Sequence, residues 1–260
     1  MEKLSGIKKD RFSPPSFFIL FFFFFFFFLP PFSYAEPPGD SVKSLENEAS
    51  KAIARSIPCK KVEVQIEMAK GKANTLKSLA VKFEGIVLGE MAADHMTLLY
   101  EDAAVDLLRL KQSKELNLSS YSRGKVGILI SAEAIERYLG NKAKQLNKSY
   151  NKISIKFSPP YVECLFDVPA SEISPDTLKL LNIVKGTKLE GYAAFQIKAK
   201  NNELYALSSK VIVNHFLIPE LILKELQTKF NPFEGIPVVK PFQYTINTVT
   251  VQNKYIYLTN

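Results

Sequence analysis

Apolar positions along the chain repeat with two periods, and the switches between them mark its elements. Val42, Leu45, Ala49, Ile53 and Ile57 recur at three- and four-residue intervals. This is the stripe of a helix of about four turns, which Asp40 or Ser41 can cap and Pro58 ends. The period then falls to two, with Val62, Val64, Ile66 and Met68 alternating with Lys61, Glu63, Gln65 and Glu67. That alternation predicts a strand with one wet face. Leu79, Val81 and Phe83 alternate in the same way, and the phase shifts to Ile86 and Leu88 around Gly85, where a bulge is expected. Residues 96–109 are again strand-like, and Val126 to Ile130 reads as a strand covered on both faces.

The opening pattern then recurs. Ser131 caps a second helix whose Ile135, Leu139, Ala143 and Leu146 share a face, with Glu133 one turn before Arg137. Ile153, Ile155 and Phe157 alternate with polar neighbours, Pro159-Pro160 turns the chain, and Val162 to Val168 returns. Residues 170–187 form a connecting excursion, with one turn of helix expected at Ser174-Pro175-Asp176. Strands follow at Glu190 to Ala199 and Tyr205 to Val213, joined by the hairpin signal Asn201-Asn202. Pro219 and Glu220 open a third helix with the stripe Ile222, Leu223, Leu226 and Phe230, and two strands close the chain, Phe242 to Val251 and Lys254 to Leu258. The predicted class is α+β: a long twisted antiparallel β-sheet packed against two or three amphipathic helices. Helix followed by strands occurs twice, which suggests duplicated halves, although no residue-level repeat is visible.

Upstream of this pattern the chain changes character. Lys3, Lys8, Lys9 and Arg11 precede an unbroken apolar run from Phe17 to Leu29. As a helix the run spans about 20 Å, short of the roughly 30 Å hydrocarbon core of a bilayer. Pro30 and Pro31 follow, then Ser33-Tyr34-Ala35 with small residues where a signal peptidase reads. Residues 1–35 are therefore expected to be a secretory signal peptide cleaved after Ala35, the alternative being an uncleaved signal anchor. A lipoprotein would need Cys at the first mature position, where Glu36 stands. Residues 36–260 are expected to be a single domain, exported to the periplasm, the cell envelope or the medium. Its size suits one core.

Removing four basic and two acidic residues with the signal takes the net charge from +8 to +6. The charges are scattered, so the partners expected from charge are anionic lipid headgroups at a membrane surface, or acidic glycans. The compartment disfavours nucleic acid. Cys59 and Cys164 would meet an oxidising environment there. A disulfide between them would close a loop of about 105 residues, worth up to about 4.7 kcal/mol. Alternatively Cys164, on one side of a strand with Val162, Phe166 and Val168, is a small core residue.

Catalytic signatures are missing. His95 and His215 stand far apart with no Cys, Asp or Glu at metal-ligand spacing, so no metal site is expected. There is no Gly-x-Ser-x-Gly elbow, no Gly-rich phosphate loop before a helix, and no His-Glu-x-x-His. Asp102 with Asp106, or Glu133 with Glu136, could pair as carboxylates, but they read more simply as solvated charges. No cofactor, no catalytic residue and no enzyme activity are expected. What the chain has in surplus is apolar residues around the third helix. Phe216, Leu217, Leu221, Ile222, Leu226, Phe230, Phe233 and Phe242 are the candidate lipid-contacting residues, with ordinary core as the alternative reading.

The C-terminal third resembles the bacterial LmeA-like phospholipid-binding envelope proteins. The resemblance is carried by Leu189-Glu190-Gly191-Tyr192, Leu204-Tyr205-Ala206-Leu207, Lys210-Val211-Ile212-Val213-Asn214 and the helix from Pro219. It continues through Phe230-Asn231-Pro232-Phe233, Ile236-Pro237, Pro241-Phe242 and the closing strands, and upstream to Ile130-Ser131-Ala132-Glu133-Ala134-Ile135. It covers roughly residues 41–260. The Cys pair, the excursion at 170–187 and the poly-Phe signal depart from the pattern. The resemblance implies a helix-and-twisted-sheet lipid binder, loosely similar to tubular lipid-binding folds. It would carry or sense phospholipid in the envelope through an apolar groove. An envelope scaffold that binds a protein or glycan partner without lipid is the alternative.

Overall fold

The first helical stripe is wound as its spacing predicts. Helix α1 runs over Gly39–Ser56 and buries Leu45, Ala49, Ala52 and Ile53. It starts at Gly39, so Asp40 and Ser41 lie inside its first turn and not ahead of it. The computed structural model describes residues 39–71, 74–145, 152–169, 188–220, 223, 233 and 235–260. The expected signal peptide, the excursion at 170–187, the C-terminal end of the second helix and nearly all of the third lie outside the described residues. Gly39–Asn260 is one compact unit.

From α1 the chain makes an antiparallel meander: β1 (Lys61–Met68), β2 (Thr75–Leu88) and β3 (Met91–Val105). The phase shift read at Gly85 is present, but the expected bulge is not: Glu84 pairs with His95 and Ile86 with Ala93, so no extra residue is absorbed there. Leu79, Val81 and Phe83 are buried, then Ile86 and Leu88, and Gly85 between them has φ +59. A second inversion was not legible. Leu76 and Leu79 bracket it on β2, Tyr100 and Ala103 on β3, and Asp102 there takes φ +49.

The strand-like reading of residues 96–109 needs correction at its end. β3 stops at Val105, and Leu107–Ser113 is a short helix, α2, capped by Asp106, whose carboxylate accepts the Arg109 N–H at 2.9 Å. The cap outweighs the apolar alternation because it pairs an amide that the first turn leaves unpaired. After β4 (Leu118–Ser120) and β5 (Arg123–Ser131) comes helix α3, Ala132–Gln145. Ser131 caps it as expected, its hydroxyl accepting from the Ala134 N–H.

Strands β6 (Lys152–Ser158), β7 (Tyr161–Pro169), β8 (Lys188–Lys200), β9 (Glu203–Val213) and β10 (Phe216–Leu217) build a second sheet, ordered β10-β9-β8-β7-β6. The chain then returns through an irregular segment to β11 (Thr248–Val251) and β12 (Tyr255–Thr259), which complete the first sheet beside β5. The strand expected from Phe242 therefore begins only at Thr248. Its earlier part spends its polar groups on other contacts: Tyr244 donates its hydroxyl to the Pro237 carbonyl at 2.6 Å, and the Ile246 N–H donates to the Asn202 side chain at 2.6 Å.

The architecture is the expected α+β one of antiparallel strands packed with helices, its strands divided between a seven-stranded and a five-stranded sheet. Helix followed by strands does occur twice, α1 before β1 and α3 before β6. One contiguous core of buried apolar side chains draws on both sheets and both long helices. Among the described residues no helix is long and apolar enough to cross a membrane.

Candidate functional site

The register of the five-stranded sheet decides which side chains share a face, because residues directly opposite in an antiparallel pair point the same way. One such row runs across all five strands: Ile153, Phe166, Gly191, Val213 and Phe216. A second row, one step along, is Ile155, Cys164, Ala193 and Val211. A third is Phe157, Val162 and Phe195. No charged residue interrupts them. The side they share faces the core, since Ile155, Phe157, Val162, Cys164 and Phe195 all belong to the buried cluster.

Burial along this inner face is graded. Phe157, Val162 and Phe195 are covered, whereas Ile153, Phe166, Val211 and Val213 are half-buried and Phe216 is exposed. Val211 and Val213 do not join the contiguous core. At Gly191 the Phe166 ring lies where a Cβ would stand, so the ring roofs the backbone of β8. The face thus opens toward the β9 and β10 edge.

A bulge in β9 keeps this face apolar. Ser208 pairs with Phe195 and Lys210 with Ala194, so Ser209 is an extra residue, its hydroxyl donating to the Ala194 carbonyl at 2.9 Å. Without the extra residue absorbed there, strict alternation from Ser208 would carry Lys210 and Ile212 inward. With it, Val211 and Val213 point inward and exposed Lys210 points out.

The residues singled out from sequence fall into different surroundings. Phe233 is buried between α3 and the second sheet, stacked on Tyr138 with 6.2 Å between ring centroids and packed 6.0 Å from Phe195. Phe242 is buried under the first sheet, stacked on Tyr100 at 6.1 Å and edge-on to Phe83 at 6.0 Å. Both side chains lie in the buried core, the ordinary-core alternative for these two. Phe216 and Leu217 are exposed on β10. Leu221, Ile222, Leu226 and Phe230 lie outside the described residues. Sequence reasoning missed Ile153, Phe166, Gly191, Val211 and Val213, although the two-residue alternation around each was visible.

Cys59 and Cys164 are both free thiols, so the bridge left open by the sequence is not formed. Cys164 sits in the inner face, and burial pushes its thiol up to about 12. The carboxylates considered as pairs have separate duties. Asp106 caps α2, Asp102 accepts the Ser122 hydroxyl at 2.9 Å, and Glu136 accepts the Ile155 N–H at 2.7 Å. Glu136 is therefore a structural partner of β6 and not a solvated charge. His95 and His215 are exposed, and no group of His, Cys, Asp or Glu among the described residues could hold a metal ion.

A small cleft of ≈ 180 Å³ lies at the β2–β3 turn, lined by Leu88, Gly89, Met91, Tyr138, Ile236 and their neighbours. On its rim the Lys142 ammonium lies 2.6 Å from the Glu90 carboxylate. No protein-family model matches the chain, and neither a curated protein nor a solved structure matches it.

Proposed function

We propose that this chain is an exported phospholipid-binding protein that carries or senses lipid in the cell envelope, with the inner face of the five-stranded sheet as its apolar groove. The observation that carries this reading is the pair of uncharged rows Ile153, Phe166, Gly191, Val213, Phe216 and Ile155, Cys164, Ala193, Val211, whose cover thins toward the sheet edge. Each methylene taken from water gains about 0.8 kcal/mol, so an acyl chain released into water meets a barrier of many kcal/mol. A groove of Val, Ile, Ala and Phe removes that barrier. Because groove and bilayer are both apolar, exchange between them is nearly neutral and needs no nucleotide. The bulge at Ser209 supports the same reading, since it spends an irregularity to keep Lys210 off this face.

The test is native mass spectrometry of the full chain, exported from a membrane-containing host and purified without detergent, followed by solvent extraction. A stoichiometric phospholipid supports the reading and names its class. A clean apo mass with no uptake from added liposomes overturns it. In that case the second reading moves to first place, an envelope scaffold binding a protein or glycan partner. It is favoured by the described cleft of ≈ 180 Å³, below the roughly 300–1,000 Å³ of ordinary ligand sites.

A further inference from the structure

The β9–β10 hairpin ends in two large apolar side chains, Phe216 and Leu217, each 62% exposed. Exposure of this kind in a loose loop would mean little, but this tip is fixed. Asn214 and His215 form a two-residue turn with φ +46 and +70, the conformation that matches the twist of the flanking strands. Phe216 pairs with Val213 and Leu217 with Ile212. The Asn214 N–H donates to the Glu190 carbonyl at 2.9 Å, and the Glu190 N–H donates back to the Asn214 side chain at 2.8 Å. The turn is thereby fastened to β8 as well as to its own hairpin.

Neighbouring residues of a strand point to opposite faces of the sheet. Phe216 therefore ends the inner row described above, and Leu217 ends an outer row through Ile212, Tyr192 and Leu165, of which Leu165 is 53% exposed. This two-sided arrangement selects the occupant. A folded protein laid on the sheet covers one side and leaves the other in water. A fluid acyl layer closes around a tip from both sides. The net charge, +6 once residues 1–35 are removed, favours an anionic lipid surface over a neutral one.

We infer that the β9–β10 tip is a bilayer-insertion wedge, with Phe216 and Leu217 entering the acyl region and the inner face of the sheet opening beside them. This rests on the lipid-binding reading and adds where the protein meets the membrane. Two partly exposed side chains give shallow, reversible docking, as exchange of cargo requires.

The chain contains no Trp, so Phe216→Trp and Leu217→Trp each place a single reporter at the tip. With vesicles of phosphatidylethanolamine and phosphatidylglycerol, both variants should shift their emission to the blue and be quenched by lipids brominated on the acyl chain. Phe216→Ser with Leu217→Ser should lower vesicle partitioning on the order of tenfold, while circular dichroism and the melting transition stay those of the wild type. A reporter that stays at its aqueous emission with vesicles overturns the wedge. So does a blue shift that needs only higher protein concentration, which would make the tip a contact between copies. Solvent extraction of the wild-type protein, purified without detergent and before any vesicle is added, separates the failures: lipid present with a silent tip rejects the wedge alone, and lipid absent rejects the groove as well.

Discussion

The carboxylate of Glu136, in the second turn of α3, accepts the backbone N–H of Ile155 on β6 at 2.7 Å. Glu46 on α1 does the same for Ile66 on β1 at 2.9 Å. Each helix thus fastens the first strand that follows it, and that strand is the end of its sheet. An unpaired edge amide is a template for aggregation, and here a side chain from the covering helix occupies one on each edge.

Removing either carboxylate leaves a half-buried amide without its acceptor. Glu136→Ala and Glu46→Ala should each lower stability by about 1–3 kcal/mol, read from urea unfolding. Glu136→Gln keeps an acceptor oxygen and should cost less. Equal losses for Ala and Gln would show that the hydrogen bond itself contributes little.

The Phe166 ring occupies the space above Gly191, where an added Cβ would overlap it. Gly191→Ala should therefore destabilise the protein by about 1–3 kcal/mol through overpacking. Combining it with Phe166→Ala should cost less than the sum of the two single changes. Additivity in that cycle would mean the ring moves aside freely.

A one-residue deletion inside a strand normally inverts every side chain beyond it. Ser209 is the extra residue of its bulge, so deleting it leaves Val211 and Val213 facing inward and should change stability by only about 1 kcal/mol. Deleting Tyr192 from the regular strand β8 should instead turn Glu190 into the inner face and cost several kcal/mol. Thermal melts of the two deletion variants compare them directly, and similar losses would refute the bulge assignment.

Burial pushes the Cys164 thiol up to about 12 and also raises that of Cys59, which is less covered. Since the thiolate is the reacting species, Cys59 should label first with a maleimide in the native protein. Cys164 should label only after unfolding, and the total of two thiols should be found without reductant. A lower total would reveal a bridge.

Tyr244 is pushed from its ordinary 10.0 to about 12 by burial, and Tyr100 is raised by the same cause. In the unfolded chain both phenols ionise near 10, while in the fold they remain neutral. Stability from these groups is therefore complete below pH 10 and falls as pH rises toward about 12. Denaturant midpoints measured across that range should decline, and less steeply in Tyr244→Phe. A flat profile would place these phenols in contact with water.

How far the sequence reached can be followed strand by strand. The Pro159-Pro160 turn set the β6–β7 register: Ser158 pairs with Tyr161, and the ladder counts back from there to Ile153 with Phe166. The Asn201-Asn202 turn set Lys200 against Glu203 in the same way. Counting onward from it places Gly191 opposite Ile212, one residue from its true partner Val213, because nothing in the letters announces the bulge at Ser209. That single slip would have exchanged the two faces of β9 and put Lys210 in the groove.

Phe233 and Phe242 are apolar and close in sequence to the third helix, the two features that make them groove candidates. Proximity along the chain carried no information about which layer each enters. Asn202 was legible as a turn residue, yet its side chain also accepts from Ile246 and donates to Tyr244, tying the second sheet to the segment that returns to the first.

The sequence alone determined the local elements of this protein: the helical stripes of α1 and α3, the two-residue turns, and the alternation that makes most strands. Those follow from periodicity and backbone sterics, which act over a few residues. Only the tertiary structure decided the division into two sheets, the inward direction of Val211 and Val213, and the burial of Phe233 and Phe242. These depend on pairings between segments tens of residues apart, where the choice is made by which apolar faces can be covered together.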